Sequence, residues 1–269
     1  KLKWIVDLRD PWSELFYLKD GFRFNFSKKI NEKLETNVIE KADAIITTVG
    51  DRYHKILKDK ITNPEKIHQI YNGYDKLNYD KIDEIKPNKF NIVFTGMLTQ
   101  NHNYETFHEV LKILNPKENN LNLILTLAGR IDKKIIKIFS NKIELINKGY
   151  IDHNNAISSI KSSHLLINFN YKNTEGTDMI SGKLIEYLAS GSPIINFSNS
   201  AKESEIVLKT STKSFNANKN NIDQVVNFIK SEYSEWLEGR YKKQKPINIS
   251  SLSRENLTQK LLDIIRKLK

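Results

Sequence analysis

The sequence predicts an α/β protein in two parts: a doubly wound parallel-sheet domain, and before it a smaller, incomplete α/β unit. Three observations carry this. Short apolar runs alternate with charged helical stretches along nearly all of the 269 residues, which is the pattern of parallel βαβ units. The alternation stops at a lysine-rich stretch that contains Pro87, and then restarts. The run after the break has strands enough for a whole doubly wound sheet, and the run before it does not. The length exceeds one average domain, and 39% hydrophobic with 10% aromatic residues is the composition of a folded chain.

In order, residues 3–8 read as a short buried strand, followed by a charged helix from about Lys28 to Lys41 and a strand at Ala44–Val49. A helix from Asp51 to Lys60 leads to a strand at Ile67–Tyr71, ended by the turn Asn72-Gly73. Residues 1–77 form this first unit, which has the look of the second half of an α/β domain, and the lysine-rich residues that follow, through 89, read as a linker. The second unit, 90–245, alternates strands at Phe90–Phe94, Leu121–Leu127, Ile143–Ile146, His164–Phe169 and Ile194–Phe197. Its helices are expected at Tyr104–Leu114, Lys133–Phe139, Ala156–Ser162, Gly182–Ala189, Ala201–Leu208 and 222–236. Within residues 246–269, Leu257, Leu261, Ile264, Ile265 and Leu268 share one helical face, which reads as a core-packing amphipathic helix.

Composition narrows the chemistry. The absence of cysteine excludes disulfides, cysteine nucleophiles and thiolate metal sites. The six histidines (His54, His68, His102, His108, His153, His164) show no metal-ligand spacing and read as surface or core residues. A net charge of +11 reads either as a lysine-rich solvated surface or as attraction to an anion such as phosphate or a membrane surface. Nothing points to nucleic acid, and neither a membrane span nor a signal peptide is visible. The chain starts at Lys1 rather than Met, so an upstream targeting segment stays open.

The segment with most chemistry runs from Asp178 to Ile195. Ser181 is placed to cap a helix, and Gly182 lets a ligand approach the backbone. The free amides and positive dipole end there suit a phosphate, and Lys183 adds a cation. Glu186, one turn on, is the kind of carboxylate that accepts hydrogen bonds from ribose hydroxyls. Leu184, Ile185 and Leu188 would face the core, Gly191 would close the helix, and Pro193 would prevent its continuation. The bland reading of the same residues is an ordinary capped helix with a Lys–Glu surface pair. Arg9 and Asp10 fall at the C-terminal end of a strand, where α/β ligands bind. Their Arg-Asp-Pro-Trp turn reads equally well as structural, with Asp10 capping and Trp12 packing.

Lys183 to Pro193 resembles the donor-site signature of glycosyltransferase family 4 and its GT-B relatives, Lys-Leu-Phe-Glu-Tyr-Leu-Ala-x-Gly-x-Pro. Further segments resemble that family in the same order. They are Trp4 to Trp12, Tyr71-Asn72-Gly73-Tyr74-Asp75, Phe94-Thr95-Gly96, Leu127-Ala128-Gly129-Arg130 and Gly149-Tyr150-Ile151.

The resemblance implies a GT-B-like fold and transfer of a sugar, with retention, from a UDP- or GDP-type donor to a glycan or lipid-linked acceptor, with no metal or other cofactor required. Surface polysaccharide synthesis at the cytoplasmic face of a membrane would be its setting. By the same resemblance Glu186 holds the ribose, and Met179, Ile180, Ser181 and Gly182 offer backbone to the diphosphate. Gly96 ends the first strand of the donor domain, Tyr150 and Ile151 border the base, and Asp178 meets the donor sugar, with Glu175 as its substitute. Arg9 and Asp10 stand near the place of a catalytic histidine that this chain lacks. The family's Arg and Lys after the first glycine are replaced by Met97 and by His102 or Asn103, which leaves Arg130 and Lys183 to supply the charge. Two other readings stay open: a non-catalytic nucleotide-sugar-binding module, and a nucleotide-sugar epimerase.

Overall fold

The computed structural model describes residues 2–10, 12–13, 25–48, 50–172, 180–198, 208–211, 213–244 and 246–268. In the first unit, β1 (Ile5–Leu8), β2 (Ala44–Thr47) and β3 (Ile67–Gln69) form a parallel sheet in that order. Alternation along the strands decides what covers each face. Val6, Leu8 and Ile45 turn to one side, where they pack with Ile39 of α1 (Asn25–Lys41) and with Tyr53 and Leu57 of α2 (Asp51–Lys58). Ile5, Ile46 and Ile70 turn to the other.

β1 departs from expectation. Residues 3–8 are expected to be a buried strand, but β1 is an edge strand of the described sheet, with Asp7 exposed and Trp4 at 45% exposure.

The 76–89 stretch holds a short helix, α3 (Lys76–Lys81). Asp75 caps it by accepting the Asn78 amide at 3.0 Å. Tyr79 is buried in it, edge-on to Tyr74 and under the ammonium of Lys161. The buried ring and hydrogen bonds from Asn78 to Asn154 and from Lys161 to the Tyr79 carbonyl hold the helix to the second unit, and none of these carries a periodic signal.

The second unit is a six-stranded parallel sheet of β4 (Phe90–Thr95), β5 (Leu123–Ala128), β6 (Glu144–Asn147), β7 (Leu165–Phe169), β8 (Ile194–Phe197) and β9 (Ser214–Ala217), in the order β6-β5-β4-β7-β8-β9. Against one face lie α4 (Tyr104–Leu114), α5 (Lys133–Ser140) and α8 (Ile222–Leu237), around Phe94, Phe107 and Phe139. Against the other lie α6 (His153–Lys161) and α7 (Gly182–Ser190), around Val93, Ile160 and Leu184. β9 has no counterpart in the sequence reading. Its Ser-Phe-Asn-Ala run is not apolar, and pairing with β8 makes it a strand. Asn168, Asn196 and Asn216 stand in register across β7, β8 and β9 and donate in sequence, at 2.7 and 2.9 Å. That ladder pairs the buried amide nitrogens of Asn168 and Asn196, while Asn168 Oδ1 stays without a partner among the described residues. The helix anticipated at Ala201–Leu208 lies, apart from Leu208, outside the described residues.

The last helix, α9 (Arg254–Lys267), returns to the first unit. Leu257, Leu261 and Ile264 pack on Ile5, Ile46 and Ile70, so the core-packing reading of that face holds. Gly73 permits the return, because a Cβ there would sit 2.7 Å from the Leu257 Cδ1 atom and 3.0 Å from the Leu252 carbonyl oxygen.

Candidate functional site

Strand order reverses between β4 and β7, and in open parallel sheets the crevice at that point, outside the carboxyl ends of the strands, is where ligands bind. The backbone there is shaped by glycine. Gly96 and Gly129 follow β4 and β5 with φ of 116° and 128°, which side-chain-bearing residues rarely adopt. They also touch: a Cβ on Gly129 would lie 2.0 Å from the Gly96 carbonyl oxygen. The Gly129 amide donates to the Gly149 carbonyl at 2.6 Å, which joins the turn after β6 to the same shelf.

Helix α7 points its N-terminus into this region. Ser181 occupies the N-cap but does not cap: its hydroxyl makes no bond to the helix, and Oγ is buried without a partner among the described residues. This corrects the capping expected of it. The Leu184 amide turns back to the Ser181 carbonyl at 3.0 Å, and the amides of Gly182 and Lys183 have no acceptor among the described residues. A helix start with open amides and the positive dipole end is a ready anion site. At the other end Gly191 closes α7 in the left-handed region, φ 71°, and Leu184, Ile185 and Leu188 are buried, all as expected.

The Lys183 side chain reaches back to the glycine shelf. Its Nζ lies 4.3 Å from the centre of the Phe94 ring and 3.7 Å from where a Cβ on Gly96 would be. Among the described residues no carboxylate pairs with it, so the Lys183–Glu186 surface pair does not form. Burial without a counter-charge pulls its pKa down from 10.5 to about 7. Beneath lies His102, 4% exposed, with Nδ1 3.1 Å from the Thr99 amide and its ring against Tyr171. Burial, helped by the Lys183 charge, pulls its pKa to about 4, so this histidine is neutral at physiological pH.

Glu186 turns from Lys183 to a different partner. Its Oε1 is 2.7 Å from Nε2 of His153, the first residue of α6. Arg130 lies over the ring of Tyr150, 5.7 Å from its centre, and Tyr150 is 79% exposed beside the half-buried Ile151. Of the two cations expected to replace the missing Arg and Lys, Lys183 is therefore at the Gly96 shelf and Arg130 is at the turn after β6.

The first unit meets α7 through Asn72. Its amide nitrogen is 3.5 Å from the Ile180 carbonyl oxygen, and its Oδ1 is 3.4 Å from Nη1 of Arg9. Arg9 also pairs with Asp7 at 2.8 Å. Asp10 is exposed. The turn is anchored beyond it, where the Ser13 hydroxyl donates to the buried carboxylate of Glu35 at 2.6 Å and Lys60 neutralises that carboxylate at 2.6 Å. Hydrogen bonds from Lys60, Ser13 and Tyr53, with the Lys60 charge, outweigh the opposing effect of burial and hold the Glu35 carboxyl below its ordinary pKa. Asp178 and Met179, with Glu175, fall outside the described residues.

Arg9, Asn72, Gly182, Glu186 and Arg254 line a cleft of about 470 Å³ between the units, together with apolar residues that include Ile5, Ile46 and Leu261. A larger depression, about 690 Å³, lies at the start of β5 and β6, the opposite end of the sheet from the ligand crevice. Among the described residues no group of three or more His, Asp or Glu is arranged to hold a metal ion. Sequence reading missed His153 and Asn72 as members of the site, and named His102 only as one of two residues in the place of the family's lysine. The signal available for His153 was its place at a helix start just after the Gly-Tyr-Ile turn.

No protein-family model and no curated protein sequence matches the chain. Solved structures do. Anabaena HepE in complex with UDP and glucose superposes with a TM-score of 0.65 at 12% identity, over 97% of this chain and 71% of that one. Sucrose-phosphate synthase from Thermosynechococcus elongatus gives 0.65 at 13%, over 100% and 68%. A mutant of S. aureus TarM in complex with fondaparinux, α-GlcNAc-glycerol and UDP gives 0.60 at 16%, over 97% and 50%, so this chain spans half the length of that one. At such identities the likeness is one of fold: the chain has the GT-B-like α/β architecture of these glycosyltransferases.

Proposed function

We propose that this chain binds a nucleotide-diphosphate sugar at the β4–β7 crevice and belongs to a glycosyltransferase that passes the sugar to an acceptor across the cleft. The observation that carries the reading is the start of α7. Amides of Gly182 and Lys183 without an acceptor among the described residues meet the Lys183 amino group, which has no counter-charge among them, at the place in the sheet where topology puts ligands. In this reading the diphosphate lies on the α7 N-terminus beside Gly96, the ribose hydroxyls donate to Glu186, and the base lies along Tyr150 and Ile151. The solved structures of HepE in complex with UDP, and with UDP and glucose, make uridine the first base to try.

In the transfer, the bond from the sugar's anomeric carbon to the diphosphate oxygen breaks with the electrons leaving on the diphosphate. The acceptor oxygen bonds to that carbon, and its proton passes to the departing diphosphate. Amides and Lys183 oppose the charge that develops on the leaving group. Arg9 and Asp10, with Asp178, are the residues we assign to the sugar and acceptor side. Retention, a hexosyl donor, a glycan or lipid-linked acceptor and a place in surface polysaccharide synthesis follow from the family resemblance. A net charge of +11 suits attraction to an anionic membrane face, and no helix among the described residues is long and apolar enough to cross a membrane.

The test is calorimetric titration with UDP, GDP and ADP, followed by incubation of the natural full-length protein with labelled UDP-sugars. Binding of one diphosphate, with label moved to an acceptor, is the expected result. Binding without turnover would leave a nucleotide-sugar-binding module, label recovered in a different nucleotide sugar would indicate an epimerase, and no binding would end the reading.

A further inference from the structure

The carboxylate read as the ribose acceptor already has a partner. His153 opens α6 two residues after Ile151, and its Nε2 lies 2.7 Å from Oε1 of Glu186, 33 residues away in the chain. The Glu186 side chain is 15% exposed, and that of His153 49%. A carboxylate only accepts, so Nε2 is the donor in this pair whatever the charge on the ring. A carboxylate offers about four lone-pair positions, and one imidazole uses one of them. Among the described residues no donor is bonded to Oε2.

No other group among the described residues takes that role. Lys183, one turn before Glu186, is turned to Phe94. Asp152, next to His153, is occupied in capping α6 through the Asn155 amide at 2.9 Å. Tyr79 of α3 feels the Glu186 charge, which adds to burial in raising its pKa, but its hydroxyl makes no hydrogen bond among the described residues. Arg9 and Arg254 line the same cleft as Glu186 and bond instead to Asp7 and to the Gly73 carbonyl.

We infer that His153 is a positioning residue for nucleotide recognition: its Nε2–H holds the Glu186 carboxylate so that the free oxygen meets the ribose hydroxyls. The inference rests on the reading of Glu186 as the ribose acceptor. A glutamate side chain has three rotatable bonds, and an unheld one loses that freedom when ligand binds. With His153 in place the orientation exists beforehand, and the benefit falls only on ligands that carry the hydroxyls.

The experiment compares UDP with 2′,3′-dideoxy-UDP by calorimetry on the full chain, with the GDP pair in parallel, for the wild type, His153→Ala, His153→Gln and Glu186→Ala. The wild type should prefer the ribonucleotide by about tenfold or more, the scale of one hydrogen bond to a charged group. His153→Ala should lose most of that preference while its affinity for the dideoxy nucleotide stays put. His153→Gln, with an amide N–H in place of Nε2–H, should regain part of it. A His153→Ala protein that keeps the wild-type ratio, while Glu186→Ala loses it, overturns the role of His153 alone. Equal weakening of both nucleotides also overturns it, since that is the mark of local structural damage. A wild type that binds both nucleotides equally overturns the ribose reading of Glu186, and a folded wild type that binds neither overturns the donor site.

Discussion

Two helices of this molecule begin with the same residue in the same backbone conformation and do opposite things with it. Ser253 precedes α9 with φ −69° and ψ 146°, and Ser181 precedes α7 with φ −69° and ψ 144°. Ser253 accepts the Asn256 amide at 3.2 Å and closes its helix start. The Ser181 hydroxyl accepts nothing from its helix, and the amides of Gly182 and Lys183 have no acceptor among the described residues. The difference lies in what surrounds each. Ser253 is pinned where the chain crosses back beside Tyr74, and the helix it starts is there to pack. Ser181 stands where the sheet reverses, beside a lysine with no counter-charge among the described residues. A capped start has its first donors occupied, whereas an uncapped one leaves donors open to an anion.

Substitutions should separate the two ends. The largest effect is expected from Leu257→Ala in α9, which empties a site packed on Ile46 and Ile70 and should cost about 2–5 kcal/mol in chemical denaturation. Nucleotide affinity of the folded fraction should not change, and a large loss of affinity would mean that the α9 end also serves the ligand.

Next is Lys183→Met. It should weaken UDP binding near neutral pH by about 1.5–3 kcal/mol, measured by calorimetry. The sign of its pH dependence follows from the depressed pKa. Between about 7 and 10.5 the unfolded chain holds a proton on Lys183 that the folded chain has released, so wild-type stability should rise with pH across that window relative to the variant. A diphosphate beside Nζ restores the ammonium, so binding at about pH 8 should take up a proton in the wild type and not in Lys183→Met. Buffers of differing ionisation enthalpy read this directly. Equal proton uptake in both proteins would place the anion elsewhere.

Glu186→Ala should weaken nucleotide binding by about 1–3 kcal/mol, with unchanged affinity in a folded variant removing it from the site. The smallest effects form the cleanest pair. Ser253→Ala should lower unfolding stability by about 1 kcal/mol, and Ser181→Ala by no more than a few tenths, because only the first removes a cap. Equal losses would erase the contrast between the two helices.

Much of this was legible in the sequence. The βα alternation, the extent of α7 from Gly182 to the stop at Gly191, and the apolar face of α9 are local patterns, and each appears in the structure where the pattern places it. β9 was not legible, since only Phe215 and Ala217 of its four residues are apolar and its strand exists through Asn196 and β8. α3 was hidden for a similar reason, its six residues depending on one cap and one buried tyrosine. At the site, the chemistry of 180–186 could be read in outline and the partners could not. The expected Lys183–Glu186 pair parts in two directions, to Phe94 and to His153. The link from Arg9 through Asn72 to Ile180 spans 63 and then 108 residues.

The sequence by itself determined the layers, the helix that begins at Gly182 and the residue types around that beginning, because periodicity, caps and glycine act over a few neighbouring residues. Only the tertiary structure decided that Ser181 leaves the α7 amides open, that Lys183 is half-buried beside Gly96 with no counter-charge among the described residues, and that His153 meets Glu186. Hydrogen bonding, burial and charge pairing are settled by groups far apart in the chain, and no local pattern records which of them will meet.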